Sequence, residues 1–222
     1  MTMNIKYRRL SIVVALAALF TATSASAALT VTIGGNGNPT GTYGEKSITP
    51  GAVTTDFNAS LLNPAGYTGG AVKNGTSSGN WAEPPGDTSN YFTVGPSTST
   101  PGILTLSRLA SYFGFYGGSP DAYNSIEFFN GNNLIQSFSG SQLATLAGVS
   151  NTGDQAIGKF WNFTAASSSD YFNKVEFFST RNAYETDNHA VILTAVPEPE
   201  TYAMMLAGLG LIGFMVRRKN VA

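Results

Sequence analysis

Short segments in which apolar and polar residues alternate recur between residues 29 and 195, and this alternation is typical of half-buried β-strands. Leu29–Ile33, for example, reads L-T-V-T-I. Asn130-Gly131-Asn132-Asn133 separates two such segments and predicts a hairpin turn. The other predicted strands are Val53–Phe57, Ala71–Val72, Tyr91–Val94, Ile103–Leu106, Ser111–Tyr116, Ser125–Phe129, Leu134–Phe138, Gly158–Thr164, Phe172–Ser179 and His189–Ala195.

One segment of this region has a helical pattern instead. Ser141–Ala147 places Leu143, Leu146 and Ala147 on one face, and Gly148 is a typical helix stop. Many short strands, turn-rich connections and almost no helix predict an all-β fold. The expected architecture is a β-sandwich of jelly-roll type over residues 28–195.

A nine-residue pattern occurs twice, at Asp121–Phe129 and Asp170–Phe178, with the consensus D-x-[YF]-N-x-[IV]-E-F-F. Because side chains alternate along a strand, each copy should direct two apolar residues to the core and its glutamate outward. The residues predicted to face the core are Ile126, Phe128, Val175 and Phe177, with Ile192 and either Val191 or Leu193. The outward residues are Glu127 and Glu176.

The first 27 residues have the three-part pattern of a secretory signal peptide. A basic segment precedes the apolar stretch Leu10–Phe20, and small residues follow it. Ala25 and Ala27 form an A-x-A site, which predicts cleavage after Ala27. The exported chain should therefore begin at Ala28.

The C-terminal residues contain a second apolar stretch, Tyr202–Val216, which has no charged side chain. It follows Pro197-Glu198-Pro199 and precedes Arg217, Arg218 and Lys219. A helix of this length rises about 23 Å, which is less than the roughly 30 Å hydrocarbon core of a bilayer. The pattern predicts a short, marginal transmembrane helix over residues 202–216, with the basic cluster on the cytoplasmic side.

A P-E-P motif, a short glycine-containing apolar segment and a terminal basic cluster, in this order, resemble the PEP-CTERM sorting signal. The resemblance covers residues 196–222. It implies an exosortase as partner, an inner-membrane enzyme expected to cut near Pro197-Glu198-Pro199, in a Gram-negative bacterium that makes extracellular polysaccharide. The two prolines prevent regular structure, so the motif should be extended and accessible. The expected route runs through a transient inner-membrane intermediate to the cell surface or extracellular matrix.

Without its two ends the chain is mildly acidic. Residues 28–196 contain six Lys or Arg against eleven Asp or Glu, a net charge of −5. This charge argues against nucleic acid as a partner, because nucleic-acid binding needs a basic surface. One histidine and no cysteine argue against a zinc site. The body must also fold without disulfides.

Three segments of the body are similar to parts of a family of exosortase-dependent surface proteins. They are Gly66–Gly70 (G-Y-T-G-G), Tyr112–Asn124 (Y-F-G-F-Y-G-G-S-P-D-A-Y-N) and Ala183–Asn188 (A-Y-E-T-D-N). The likeness extends over most of residues 48–195. It implies a secreted β-sandwich with no assigned catalysis.

Candidate catalytic and metal-binding residues are few. His189 could be the base of a nucleophilic triad, but its place before an apolar segment favours a structural role at the start of a strand. Glu127 and Glu176 could serve a glycosidase if their carboxyl groups were about 5–9 Å apart, although equivalent outward positions explain them more simply. Oxygen-bearing side chains in turns suggest calcium ligands. The calcium candidates are Asp121, Asn124, Glu185 and Asp187, with Asn188 beside them.

The preferred hypothesis is a non-catalytic surface or biofilm-matrix protein that associates with exopolysaccharide and has neither cofactor nor metal. A glycan-binding module is the first alternative, because aromatic residues near loops could stack on sugars. These aromatic residues are Trp81, Tyr67, Tyr116 and Tyr123. Trp81 could instead cover the core. A glycan-active enzyme is the second alternative.

Overall fold

The computed structural model describes residues 28–37, 43–195, 204–212 and 215. The strands are β1 Leu29–Ile33, β2 Val53–Thr55, β3 Tyr67–Thr68, β4 Ala71–Lys73, β5 Tyr91–Val94, β6 Gly102–Gly117, β7 Asn124–Asn130, β8 Asn133–Ser139, β9 Lys159–Ala165, β10 Phe172–Ser179 and β11 Tyr184–Leu193. Helix α1 spans Gly140–Ala147, and a 3₁₀ turn spans Ser168–Asp170. The prediction of a body dominated by β-strands is confirmed, and β1, β5 and β10 have the predicted bounds.

The strands pair antiparallel and join into one continuous sheet. Its main path runs β4-β5-β11-β6-β10-β7-β8. Strand β9 lies off this path and pairs with both β6 and β1. The short strands β2 and β3 pair with β11 and β6. One hydrogen-bonded network connects all these strands, so strand pairing does not separate them into two sheets. The jelly-roll sandwich therefore stays a prediction.

The 16-residue strand β6 pairs with different strands along its length. Its first residues pair with β3 and β10, whereas Tyr112–Gly117 pair with β9. The prediction of two strands, Ile103–Leu106 and Ser111–Tyr116, is therefore wrong. Exposed polar residues interrupt the apolar pattern between them without interrupting the extended backbone. Strand β11 begins at Tyr184, five residues before the predicted start, because the polar residues Thr186, Asp187 and Asn188 are buried within the sheet.

Aromatic rings make up much of the main buried core. The ring centroid of Phe177 lies 6.0 Å from that of Phe113 and 5.6 Å from that of Phe115. Phe128 lies 4.9 Å from Phe163. The four repeat residues predicted to face the core are fully buried, so the predicted strand orientation is confirmed. They are Ile126, Phe128, Val175 and Phe177.

A smaller apolar cluster lies on the opposite face of the sheet. It consists of Tyr112, Tyr116, Phe160 and Ala190. Ile192 packs against this cluster and not against the main core, where Val191 and Leu193 pack instead. All three side chains are only partly buried. The prediction that Ile192 belongs to the main core is therefore wrong, because alternation along β11 directs it to the other face.

Helix α1 has a defined cap at each end. The Ser139 hydroxyl accepts a hydrogen bond from the Gln142 backbone N–H at 3.2 Å, and the Gln142 side chain accepts one from the Ser139 backbone N–H at 2.8 Å. This is a capping box. Gly148 ends the helix in the left-handed conformation, with φ +63°, as predicted. The predicted apolar face included Leu146, which is 54% exposed, and omitted Ala144, which is buried. The prediction for Leu146 is therefore wrong.

Several predicted features lie outside the described residues. They are the signal peptide 1–27 with Ala25 and Ala27, the motif Pro197-Glu198-Pro199, and Arg217, Arg218 and Lys219. Residues 204–212 and 215 are helical, within the predicted 202–216. In the described part of the chain, no helix combines the length and apolarity needed to cross a bilayer. The transmembrane helix and the domain boundaries at residues 27 and 195 stay predictions.

Candidate functional site

A cleft of about 540 Å³ opens beside the loop that joins β4 to β5. Loop residues 76–88 form one wall. The opposite wall comes from the connection after β6, residues 118–123, and from residues 182–185 at the start of β11. Both β6 and β11 are internal strands of the sheet. The cleft therefore combines a long loop with two segments anchored in the most extensively paired part of the fold.

Two aromatic side chains line the cleft, Trp81 and Tyr123. Lys73 Nζ lies 4.6 Å from the Trp81 ring centroid, and the Arg181 guanidinium carbon lies 5.8 Å from that of Tyr123. Each cation is within cation–π range of its ring. Both rings are half-buried, and Trp81 belongs to neither buried core cluster of the described residues. Trp81 is thus part of the cleft wall and does not cover the core.

Side chains from the β11 wall hold the loop in place. Glu185 Oε1 accepts a hydrogen bond from the Ala82 backbone N–H at 2.8 Å. Asn182 Nδ2 donates to the Gly79 carbonyl at 3.1 Å and to Ser97 Oγ at 2.7 Å. Burial raises the pKa of Glu185 to about 7, although the Ala82 N–H favours the charged form. The cleft therefore contains a carboxyl group that titrates near neutral pH.

Asp121 organises the turn beneath Tyr123. Its carboxylate accepts hydrogen bonds from Ser119 Oγ at 2.7 Å, from the Tyr123 hydroxyl at 2.6 Å and from the Gly153 N–H at 2.5 Å. Asn124 Oδ1 accepts a hydrogen bond from Ser179 Oγ at 2.6 Å. These oxygens are already used by protein donors, so both residues have a turn-forming role.

The four calcium candidates do not form one group. Asp121 and Glu185 line the cleft, whereas Asp187 is not among the residues that line it. Within the described ranges, no three His, Cys, Asp or Glu side chains are arranged to hold a metal ion. The common site that the sequence suggested is therefore not assembled from these residues.

Two of the four proposed sugar-stacking aromatics are buried. Tyr67 is 8% exposed, and its hydroxyl lies 2.9 Å from His189 Nδ1. Tyr116 is 0% exposed, and its hydroxyl donates to the Pro85 carbonyl. Neither ring can contact a sugar in this fold. The alternative of a glycan-binding module is thereby reduced to Trp81 and Tyr123, the two aromatics of the cleft.

His189 is a residue of the core. The sequence suggested a position at the start of a strand, but His189 lies inside β11. Its Nε2 lies 2.9 Å from Thr186 Oγ1, and its ring stacks on Phe177 with centroids 5.2 Å apart. Burial lowers its pKa to about 3. A buried neutral imidazole whose two nitrogens both have protein partners has a structural role.

The two repeated glutamates lie directly opposite each other on β7 and β10. Lys174 Nζ lies 2.6 Å from Glu176 Oε1 and 4.1 Å from the ring centroid of Phe129. Burial and the charge of Glu176 raise the pKa of Glu127. Neither glutamate lines the cleft. The two glutamates form a polar ladder across two neighbouring strands, but Glu176 is only 9% exposed, so the expected outward position is covered there.

One acidic pair was missed by the sequence analysis. Asp87 and Asp187 are 1% and 0% exposed, and Ser89 Oγ lies 2.6 Å from Asp87 Oδ1 and 3.4 Å from Asp187 Oδ2. Burial, followed by the neighbouring Asp87, raises the pKa of Asp187 to about 10. Asp87 was overlooked because its sequence, G-D-T-S, is an ordinary turn pattern.

The last strand holds the chain close to the P-E-P motif. The Thr194 N–H donates to the Leu109 carbonyl at 2.8 Å, and Arg108 Nη1 donates to the Thr194 carbonyl at 3.0 Å. Three further residues lead to Pro197, and they span at most about 10 Å. The folded body therefore ends within about this distance of the motif.

Comparison with known proteins identifies the tail and not the body. Residues 195–219 match the family model of the PEP-CTERM protein-sorting motif. No curated protein and no solved structure matches the chain. The motif indicates export, transit through a membrane-anchored stage, processing by an exosortase and sorting to the cell surface.

Proposed function

We propose that this PEP-CTERM sorting-domain protein is a non-catalytic component of the surface or extracellular matrix of a Gram-negative bacterium, where it associates with exopolysaccharide. The sorting motif at residues 195–219 carries the proposal. The roles of the candidate catalytic residues support it. His189 is buried among aromatic rings, and Glu127 and Glu176 form a ladder outside the cleft.

The fold is compatible with processing at the motif. Strand β11 pairs with both β5 and β6. The sheet can therefore be completed only after the whole of β11, up to Leu193, has been translocated across the inner membrane. A cut beyond Ala195 leaves each strand pair of the described body intact. In the proposed sequence of events, the signal peptide exports the body, residues 202–216 stop in the inner membrane, and the exosortase releases a folded domain.

Intact-mass measurement of the surface-exposed protein tests the sorting step. The expected product begins at Ala28 and ends within residues 196–199. Replacement of Pro197, Glu198 and Pro199 by alanine should leave the body exported but retained in the inner membrane, because recognition is lost while the apolar stop remains. Asn220→Ala, which lies outside the matched motif, is the control and should be processed normally. A surface product that retains Arg217 would refute the proposal.

A glycan-binding module is the second candidate function, and the cleft favours it. Trp81 and Tyr123 line one cavity together with the amide of Asn182 and the carboxyl of Glu185. Aromatic rings beside a few polar groups are a common composition of small-ligand sites. The cleft thus offers both apolar stacking surface and hydrogen-bonding groups to a sugar.

Binding of the host's own exopolysaccharide tests this second function. The exported protein should bind it, and Trp81→Ala or Tyr123→Ala should each weaken binding at least tenfold. Tyr43→Ala removes a ring that is 55% exposed and is not among the residues that line the cleft, so it should bind like the native protein. Equal affinity of all four proteins would place the contact elsewhere.

A glycan-active enzyme is the weaker alternative. If the protein degrades the host's polysaccharide and both Glu127→Gln and Glu176→Gln abolish this activity, the non-catalytic proposal is wrong. The expected result is that no degradation of the polysaccharide occurs with the native protein or with either variant.

A further inference from the structure

The buried carboxyl groups of Asp87 and Asp187 come from segments one hundred residues apart. Asp87 lies in the loop before β5, and Asp187 lies in β11, where the pairing with β6 shifts register between Asp187 and Ala190. Asn188, within this irregularity, has φ +51°. A bulge of this kind places two successive side chains on one side of the strand. Asp187 and Asn188 can therefore face the same overlying loops.

Backbone carbonyls of the overlying loop fix the side chain of Asn188. Asn188 Nδ2 donates to the Tyr43 carbonyl at 2.6 Å and to the Glu45 carbonyl at 3.0 Å. Tyr43 in turn forms an isolated β-bridge with Asp87. The amide of Asn188 is thus fixed by its nitrogen, and its oxygen is left for another partner.

Three buried oxygens of these residues receive no hydrogen bond from an N–H or hydroxyl group of the described chain. They are Asp87 Oδ2, Asp187 Oδ1 and Asn188 Oδ1. The carboxyl groups of Asp87 and Asp187 lie within hydrogen-bonding distance of each other. The one ion pair within the described residues joins Lys174 to Glu176, so neither aspartate is neutralised by a basic side chain. Two uncompensated buried carboxylates are strongly unfavourable. The pair is therefore accompanied either by a shared proton or by a bound cation.

We propose that Asp87, Asp187 and Asn188 form a calcium site that ties the loops over β11 to the sheet. The unpartnered donors are carboxylate and amide oxygens, which hard cations prefer. Calcium accepts oxygen ligands in irregular geometry, whereas magnesium demands a near-ideal octahedral arrangement. Two aspartates supply the charge of −2 that a divalent cation balances, and the Asn188 amide supplies a neutral oxygen.

A route for the ion exists at the side of the pair. A second cavity, of about 550 Å³, is lined by Ser89, Tyr43 and Asp56. Ser89 is the residue that bridges the two aspartates, so the cavity reaches the edge of the site. Asp56 and Lys46 both line this cavity, so their opposite charges offset each other at the entrance.

Metal content and thermal unfolding of the full-length protein test the proposal. Mass spectrometry of the protein purified in calcium should find about one calcium ion per chain. With a dissociation constant of about 10⁻⁴ M, typical of extracellular calcium sites, 5 mM calcium should raise the apparent folding equilibrium constant about 50-fold over chelator. Asp87→Asn and Asp187→Asn should lose this response, whereas Asp154→Asn, an exposed acid outside the site, should keep it.

A proton shared by the two carboxyl groups is the competing explanation. It predicts no bound calcium, no difference between calcium and chelator, and stability that falls as the pH rises above about 4. That combination would overturn the proposal, as would an equal response to magnesium. If Asp187→Asn does not fold, the metal content of the native protein and the reversibility of its response to chelator decide between the two explanations.

Discussion

Replacement of Phe177 by alanine is expected to destabilise the fold by about 3–5 kcal/mol. The side chain is fully buried, and its ring meets rings from three other strands. The centroid distances are 5.6 Å to Phe115 in β6, 6.3 Å to Phe92 in β5 and 5.2 Å to His189 in β11. Phe177 therefore connects β10 with three other strands through the core.

The magnitude follows from the area removed and from the space left behind. A buried phenylalanine covers on the order of 150 Å², which corresponds to about 4 kcal/mol at ~25 cal/mol per Å². Alanine retains part of this contribution, but the cavity adds a further cost. The surrounding strands are fixed by their ladders of hydrogen bonds, so the core cannot close fully around the missing ring.

Urea unfolding of the exported protein measures this loss, and the fluorescence of Trp161, which is buried in the same core, reports it. Phe178→Ala is the matched control, because Phe178 is the next residue of β10, faces the other side and is only partly buried. It should cost less than about 1.5 kcal/mol. A loss below about 1 kcal/mol for Phe177→Ala, or equal losses for both variants, would refute the assignment of strand faces.

Three further measurements test local features of the fold. Ser139→Ala removes the capping box and should destabilise the protein by about 1 kcal/mol in a thermal melt, whereas an unchanged melt would mean that the cap does not contribute. Tyr112→Phe leaves Asn162 Oδ1 without the hydroxyl that donates to it at 2.6 Å, so urea unfolding should show a loss of about 1–3 kcal/mol. Glu127→Gln tests a pH effect: because the pKa of Glu127 is raised on folding, native stability should fall as the pH rises above about 4.5, and the variant should show a smaller fall. Parallel pH profiles for both proteins would contradict this.

Features that depend on neighbouring residues could be predicted from the sequence. The hairpin at Asn130–Asn133 was predicted because Gly131 adopts φ +59° without steric cost. The end of α1 at Gly148 follows from the same property. The sorting motif is also a contiguous stretch, so it could be recognised from residues 195–219 without any knowledge of the fold.

The tertiary structure alone decided which residues meet and which are covered. Trp81 and Tyr116 both belong to aromatic-containing, glycine-rich segments, yet one lines a cleft and the other is buried beneath a loop. Asp87 and Asp187 become neighbours only because β11 forms between β5 and β6. Alternation along a strand specifies two faces, but it does not specify what packs against either of them. That choice depends on strand pairing between distant segments, and its energy comes from contacts that no local pattern contains.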